Sequence, residues 1–391
     1  KQKSRNNYAV KTASNLSRYS GCTVYRIYVD KTGLIEYTNS VLDTINAYIC
    51  NSRPRRFGKS YAANMLAAYY SKGADSGQMF SGLKISKDAD FRKHLNKYDV
   101  IHIDIQWFLA NCEDADKVVS FITKSVLDEL RDIYPEVLSQ DVVTLPDALS
   151  RVKERTGQKF VVIIDEWDVI IRDGTITESI QDEYLNFLRG MFKGVEPTKY
   201  IQLAYLTGIL PIKKEKAQSA VNNLDEFTML QADELAPYSG FTENEVKDLC
   251  ETYNRDFDKV KEWYDGYLLN GYQVYNPKAV VSVMTKGRFR SYWSETGSYE
   301  VVVPLICMNY DGLKNAIIEM LSGSEVKVDT ATFKNDPAKI QNRDDVITYL
   351  IHLGYLGYNE DNETAFVPNE EIRQELITAV RSSNWDELIA L

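Results

Sequence analysis

The stretch that most constrains this chain is residues 51 to 60, Asn-Ser-Arg-Pro-Arg-Arg-Phe-Gly-Lys-Ser. An apolar run from Ile45 to Cys50 precedes it and reads as a buried strand. Tyr61 to Tyr70, rich in Ala, Met and Leu, follows it and reads as a helix. Strand, short loop, Gly-Lys-Ser and helix make a setting that can hold phosphate. Unpaired amides of the loop and helix N-terminus carry partial positive charge, a lysine adds a full one, and the next hydroxyl suits Mg²⁺. On this reading Lys59 meets the β- and γ-phosphates and Ser60 meets the metal. The first glycine of the usual phosphate-loop spacing falls on Arg53, and Pro54, Arg55 and Arg56 make the loop basic. Gly-Lys-Ser is a weak signal alone; its plain alternative is a basic strand-to-helix turn with a lysine in the first helical turn.

The rest of the chain narrows the field. With 391 residues, 44% hydrophobic and 26% charged, it has ordinary globular composition and room for two or three domains. A formal charge of −10 argues against a dedicated nucleic-acid coat and leaves room only for a local basic patch. No apolar stretch approaches the roughly 20 residues that cross a bilayer, so no membrane partner is expected. The polar start, Lys1 to Val10, does not resemble a signal peptide, and its Lys in place of Met is taken to mean that numbering begins inside a longer chain. Five cysteines (Cys22, Cys50, Cys112, Cys250, Cys307) without a C-x-x-C pair read as reduced thiols of a cytoplasmic protein. His94, His102 and His352 lie too far apart in sequence to suggest a zinc site or a Ser-His-Asp triad, and His102 sits in an alternating run that reads as a strand.

Along the chain, residues 1 to 20 form a polar segment. Val24 to Thr32 is rich in β-formers. Tyr28 and Val29 there suit a wall against a nucleobase; the alternative is an added strand with Asp30 capping a helix. Asn96-Lys97-Tyr98-Asp99 matches a guanine-reading pattern, but it precedes the second expected strand and no D-x-x-G comes before it, so the match reads as coincidence. Val100 to Ile105 reads as a strand, and Asp116 to Tyr134 and Pro146 to Arg155 as helices, the second ending near Gly157.

Phe160 to Glu166, Phe-Val-Val-Ile-Ile-Asp-Glu, is the second strong signal. A continuous β-branched run fits a parallel strand buried on both faces. Its terminal carboxylates suit two tasks: Asp165 to hold Mg²⁺ and Glu166 to activate water. The alternative is a central strand followed by an acidic helix cap. Asp182 to Lys193 reads as a helix, and Tyr200 to Leu206 as a strand ending in Thr207-Gly208. There Thr207 either senses the γ-phosphate or simply caps the turn. Lys213 to Lys216 reads as a basic loop and Phe227 to Leu230 as the last core strand. From Tyr238 the character changes. Thr242 and Glu245 are spaced as a capping box, and helical segments are expected to Val283. The cluster Trp263, Tyr264, Tyr267, Tyr272, Tyr275 reads as a small-domain core rather than a base-stacking platform. Residues 344 to 380 read as helix, strand, acidic hairpin, strand, helix, the pattern of a winged helix. The acidic wing Asn359 to Glu363 disfavours DNA reading by that element.

These pieces together resemble the bacterial AAA-ATPase-like family. The resemblance is carried by Tyr28-Val29-Asp30-Lys31-Thr32, Arg53-Pro54-Arg55-Arg56-Phe57-Gly58-Lys59-Ser60, Ile164-Asp165-Glu166-Trp167-Asp168 and Leu206-Thr207-Gly208. It continues through Asn222-Asn223-Leu224, Gly240-Phe241-Thr242, Trp263-Tyr264-Asp265-Gly266-Tyr267, Tyr275-Asn276-Pro277 and Pro368-Asn369-Glu370-Glu371-Ile372-Arg373. Trp167 departs from the family's usual tyrosine. The resemblance implies a P-loop ATPase of the additional-strand type that takes ATP rather than GTP. It also implies a nuclease-like module after residue 391, because no spaced Asp plus Glu-x-Lys set follows Pro368.

The expected architecture is therefore a three-layer α/β P-loop NTPase with a parallel sheet at residues 21–235, a helical lid at 236–300 and a winged-helix-like region at 301–391. The expected catalytic residues are Glu166, Lys59 and Thr207. Arg53, Pro54, Arg55, Arg56, Phe57, Gly58, Lys59, Ser60, Tyr61 and Tyr28 are expected around ATP, and Ser60 with Asp165 around Mg²⁺. Homo-oligomerisation and contact with nucleic acid through the nuclease-like module stay open. Two other readings also stay open: a nucleotide-gated interaction module with negligible turnover, and a nucleic-acid binder using the basic loop.

Overall fold

The structure is a computed structural model that describes residues 27–212, 223–293, 299–308 and 310–382. The polar segment 1–20, Cys22, the start of the Val24–Thr32 run, the basic loop Lys213–Lys216 and Asn222 lie outside the described residues. By internal contact the chain falls into two units. The first comprises the described residues to Asn51 together with Lys59–Glu226. The second comprises Ser52–Gly58 with the described residues from Phe227 onward.

The first unit is built on a five-stranded sheet: β1 (Tyr48–Ser52), β2 (Asp99–Asp104), β3 (Phe160–Asp165), β4 (Ile201–Gly208) and β5 (Asp225–Phe227), in the order β2-β3-β4-β1-β5. β2, β3 and β4 pair in parallel, with Ile103 opposite Ile164 and Ile164 opposite Leu206. β3 and β4 are buried along their whole length, which is why both read as unbroken apolar runs. One face of the sheet packs a single core with the helices Val118–Ile133, Leu145–Thr156 and Glu178–Phe192 through residues such as Val126, Leu149, Val162 and Leu188. Against the other face lies the helix Lys59–Tyr70, which packs on β2, β3 and β4. The helix Gly33–Val41 is joined to it by Thr38, whose hydroxyl is 2.7 Å from the Tyr70 hydroxyl. This is a three-layer α/β P-loop NTPase fold of the additional-strand type, because β4 stands between β1, which leads into the loop, and β3, which carries the acidic pair.

Several expectations shift. β1 begins at Tyr48, not Ile45, whose side chain is 93% exposed. No strand forms over residues 27–32. Instead Asp30 accepts from the Thr32 amide (2.9 Å) and hydroxyl (2.7 Å) and from the Lys84 amide (2.7 Å), while the Ile85 amide donates to the Thr32 hydroxyl (3.1 Å). Asp30 therefore ties this segment to the turn at Lys84–Lys87 rather than capping a helix. Asn96, first residue of the guanine-like match, is likewise structural: its amide donates to the carbonyls of Ala68, Tyr69 and Ser71. The last core strand is Asp225–Phe227, slightly before its expected place.

The second unit contains two three-stranded sheets. β6 (Phe241–Thr242), β7 (Tyr267–Leu269) and β8 (Tyr272–Tyr275) pair antiparallel in the order β6-β8-β7. Helices Glu243–Tyr253, Phe257–Tyr264 and Pro277–Lys286 surround them. Glu245 completes the capping box at Thr242, accepting from its amide at 2.8 Å. The stretch expected to hold helical segments to Val283 thus also contains a hairpin. Its two-residue turn, Asn270-Gly271, has φ of 45° and 78°, the left-handed pair of a type I′ turn. Further on, β9 (Val326–Lys327), β10 (Gly357–Asn359) and β11 (Thr364–Phe366) form the second sheet, flanked by helices Arg343–Leu353 and Glu370–Ser382. Gly266 brings the two halves of this unit together. Its φ is +108°, and a Cβ there would stand 2.1 Å from the Pro368 carbonyl oxygen, so no larger residue fits.

Glu371, on the last helix, is buried and accepts from the amides of Tyr292 (2.6 Å) and Trp293 (3.1 Å). Burial pushes its carboxyl up to about 8, against the pull of those two amides and with a further push from Glu375. The folded state therefore holds this proton more tightly than the unfolded chain does. That contribution to stability is whole below about pH 4.3, the unfolded carboxyl's value, and is lost as pH rises through about 8. Each unit of displacement is worth about 1.4 kcal/mol. Thermal melts between pH 5 and 8.5 should show a falling midpoint in the wild type and a flatter one in Glu371→Gln, which keeps the acceptor oxygen. Equal slopes would count against the assignment.

Candidate functional site

The site is assembled where two neighbouring strands end. Because β3 and β4 run parallel with Ile164 opposite Leu206, Asp165 and Thr207 emerge side by side. The Thr207 hydroxyl donates to Asp165 Oδ1, and the Glu166 amide donates to the same oxygen at 3.1 Å. The Trp167 amide donates to the Thr207 carbonyl at 2.8 Å, and the Tyr184 hydroxyl to the Trp167 carbonyl at 2.8 Å. These bonds fix Glu166 with φ of +52°, a left-handed conformation costly for a residue with a side chain. Gly208 completes the turn: a Cβ there would lie 2.6 Å from the Trp167 indole nitrogen and 2.8 Å from Asp168 Oδ1.

Lys59 opens the helix that follows the loop and is only 4% exposed. Its Nζ lies 3.8 Å from Glu166 Oε1, so two residues 107 positions apart in the sequence face each other. Burial lowers the Lys59 ammonium from its ordinary value, opposed by Glu166, Asp168 and Asp165. Burial likewise raises the Glu166 carboxyl, opposed chiefly by Lys59 and then by Arg172. Each charge of the pair is thus costly alone and is sustained by its neighbours. Ser60 is exposed on the first turn of the same helix. Tyr61 follows it, its ring 6.1 Å from that of Tyr28, one of the two residues, with Val29, expected to wall a nucleobase.

Two residues escaped the sequence reading. Asp168 is fully buried and accepts at Oδ2 from the amides of Ile209 (3.0 Å) and Leu210 (2.8 Å) and from Arg172 Nε (2.7 Å). Arg172 in turn donates from Nη2 to Glu166 Oε2 at 3.0 Å. The available signal was the i, i+4 spacing of Asp168 and Arg172, which puts opposite charges on one helical face.

The loop residues expected around ATP divide sharply. Arg53 is fully buried, and its Nη1 donates to the carbonyls of Ser52 (2.9 Å) and Phe227 (2.9 Å). The Pro54 ring packs at Gly354. Phe57 is buried edge-on against Tyr267, ring centroids 5.5 Å apart, and its carbonyl accepts from the Gly240 amide. These three side chains pack within the second unit, so the loop residues expected around ATP are not all presented alike. Arg55, Arg56 and Gly58 are exposed, with Arg56 and Gly58 at φ of 70° and 87°. Arg55 and Arg56 line a small pocket of the second unit with Asn276, Lys278, Trp293 and Glu371.

Mg²⁺ suits the donors at hand. Asp165 spends Oδ1 on Thr207 and Glu166, while Oδ2 has no protein donor among the described residues. One such carboxylate oxygen and the Ser60 hydroxyl are hard ligands, and Mg²⁺ takes one or two carboxylates and fills its remaining positions from water and phosphate.

The strand order, the Lys59 helix and the paired acids define the class, a P-loop ATPase-like fold. The chain belongs to the AAA-ATPase-like family, described as predicted AAA-ATPases, whose model matches residues 22–217. A protein of Azotobacter chroococcum mcd 1, described as an uncharacterized protein in the vnfD 5′ region, is 27% identical over 289 residues, covering 71% of this chain and 52% of the relative. The chain spans about half the length of that curated relative. Similar solved structures include the Aeropyrum pernix ORC1 protein in complex with DNA, at 11% identity and a TM-score of 0.33, covering 98% of this chain and all of that one. The Aeropyrum pernix ORC2 protein in ADPNP–ADP complexes matches at 11% identity and a TM-score of 0.38, covering 93% of this chain and 98% of that one. No described helix is long and apolar enough to cross a membrane.

Proposed function

We propose that the chain binds ATP and hydrolyses it with Mg²⁺ by in-line attack of water. The observation that carries this reading is the 3.8 Å approach of Lys59 to Glu166, at the start of one helix and the end of a buried strand. Lys59 and the amides of its helix N-terminus hold phosphate oxygens, with the amides around Gly58 leading into them. Ser60 and Asp165 hold the metal, which when bound neutralises charge developing on the phosphates. Glu166 accepts a proton from the attacking water. Thr207, bonded to Asp165, reports on the γ-phosphate, and Tyr28 with Tyr61 forms the wall for the adenine. ATP is preferred to GTP, since the guanine-like Asn96 spends its amide on backbone carbonyls.

Turnover serves a conformational switch in this proposal. Residues 236–300 act as a lid and 301–391 as a winged-helix-like region, passing the nucleotide state to an attached nuclease-like module and, through it, to nucleic acid. The helix, hairpin and third strand between Val326 and Ser382 support the winged-helix reading. Lys59→Ala tests the whole scheme. Losing a charge-assisted contact worth about 1.5–3 kcal/mol should weaken ATP affinity by about 10- to 100-fold, read with a fluorescent ATP analogue. Unchanged affinity, or DNA displacing the nucleotide, would favour a basic-loop nucleic-acid binder.

A further inference from the structure

We propose that Arg172 is a positioning residue for Glu166: it holds one carboxylate oxygen fixed through the nucleotide cycle, while Lys59 gives up the other oxygen when it turns to phosphate. The proposal rests on the hydrolytic reading above and adds a residue that reading does not contain.

The two cations on Glu166 are held differently. Arg172 reaches Oε2 at 3.0 Å with Nη2, while its Nε is bound to Asp168 at 2.7 Å. Asp168 is itself immobilised by the amides of Ile209 and Leu210. A planar guanidinium bridging two carboxylates, one of them fully buried and bound to backbone, has one orientation available. Lys59 faces Oε1 at 3.8 Å, a longer approach made by a compact ammonium at the end of a four-carbon stem. A triphosphate carries several negative charges where Glu166 carries one, so an arriving nucleotide draws Lys59 away.

Oε1 is then left open on the side Lys59 has vacated, which is the phosphate side. Oε2 stays on Arg172. The carboxylate keeps its orientation at the moment one oxygen becomes able to accept a proton. Without Arg172 the three side-chain torsions of Glu166 would have to be ordered by the substrate alone, and misplacement of about 1 Å can cost a hundredfold in rate.

The test compares wild type, Arg172→Gln, Arg172→Lys, Glu166→Gln and the double variant Arg172→Gln/Glu166→Gln. The measurements are steady-state phosphate release with Mg²⁺ and ATP, affinity for a fluorescent non-hydrolysable ATP analogue, and melting temperature. Arg172→Gln should lower kcat by about 10- to 100-fold with KM and analogue affinity within about twofold of wild type. Arg172→Lys should recover part of kcat, and the double variant should fall no lower than Glu166→Gln alone. An unchanged or raised kcat in Arg172→Gln overturns the proposal. So does analogue affinity that falls in step with kcat, or a double variant slower than Glu166→Gln. If wild type releases no phosphate, the hydrolytic reading fails separately and the pair is judged by melting of nucleotide-free protein. Non-additive shifts for Arg172→Gln and Glu166→Gln then keep Arg172 as the residue that positions Glu166, and additive shifts remove it.

Discussion

Glu166→Gln is expected to cut steady-state phosphate release by about 10²- to 10⁴-fold while ATP still binds, because the amide cannot take the water's proton. The substitution is nearly isosteric and keeps an oxygen for Arg172, now 3.0 Å from Glu166 Oε2. It also removes a negative charge from the immediate surroundings of Lys59. Phosphate binding should therefore hold or tighten as turnover falls. The separation of rate from affinity is the diagnostic, read by single-turnover kinetics beside equilibrium binding. Equal rates in wild type and variant would remove the enzyme reading and leave a nucleotide-gated interaction module in its place.

Asp168→Ala is expected to cost stability rather than chemistry alone, by about 3–5 kcal/mol. The carboxylate is fully buried and answers three donors. Its removal takes from Arg172 one of its carboxylate partners and orphans the amides of Ile209 and Leu210 just past the end of β4. Asp168→Asn keeps an acceptor oxygen and should lose less. Urea unfolding followed through the first unit would show the alanine variant's midpoint displaced at constant slope. A loss under 1 kcal/mol would mean that water replaces the lost partners and that Asp168 anchors nothing.

What the sequence disclosed follows the range of each interaction. β3 was legible because a strand covered on both faces must be apolar at every position, and its two acids mark where that cover ends. The helix ending at Gly157 was legible because a left-handed C-cap, here with φ of 74°, asks for glycine. Arg53 misled because a basic side chain beside Gly-Lys-Ser suggests a phosphate contact. Its actual acceptor, the Phe227 carbonyl, lies 174 positions away, and no local pattern records that. The β7–β8 hairpin is a different kind of miss. Its Asn270-Gly271 turn lies in plain view, but the region to Val283 reads as helical segments and its aromatics only as a small-domain core. The Asp168–Arg172 pair was legible in its i, i+4 spacing, but the left-handed backbone at Glu166, which no composition or periodicity signals, was not.

That backbone also bears on how such a protein can be improved. At φ of +52° a glutamate sits in a conformation that glycine adopts at almost no cost. Glycine at position 166 would relieve that backbone but leave Arg172 and the buried Lys59 without the carboxylate they face, so the strain cannot be removed without a cost in charge pairing. Thermostabilising this chain means exempting that position and seeking the gain elsewhere.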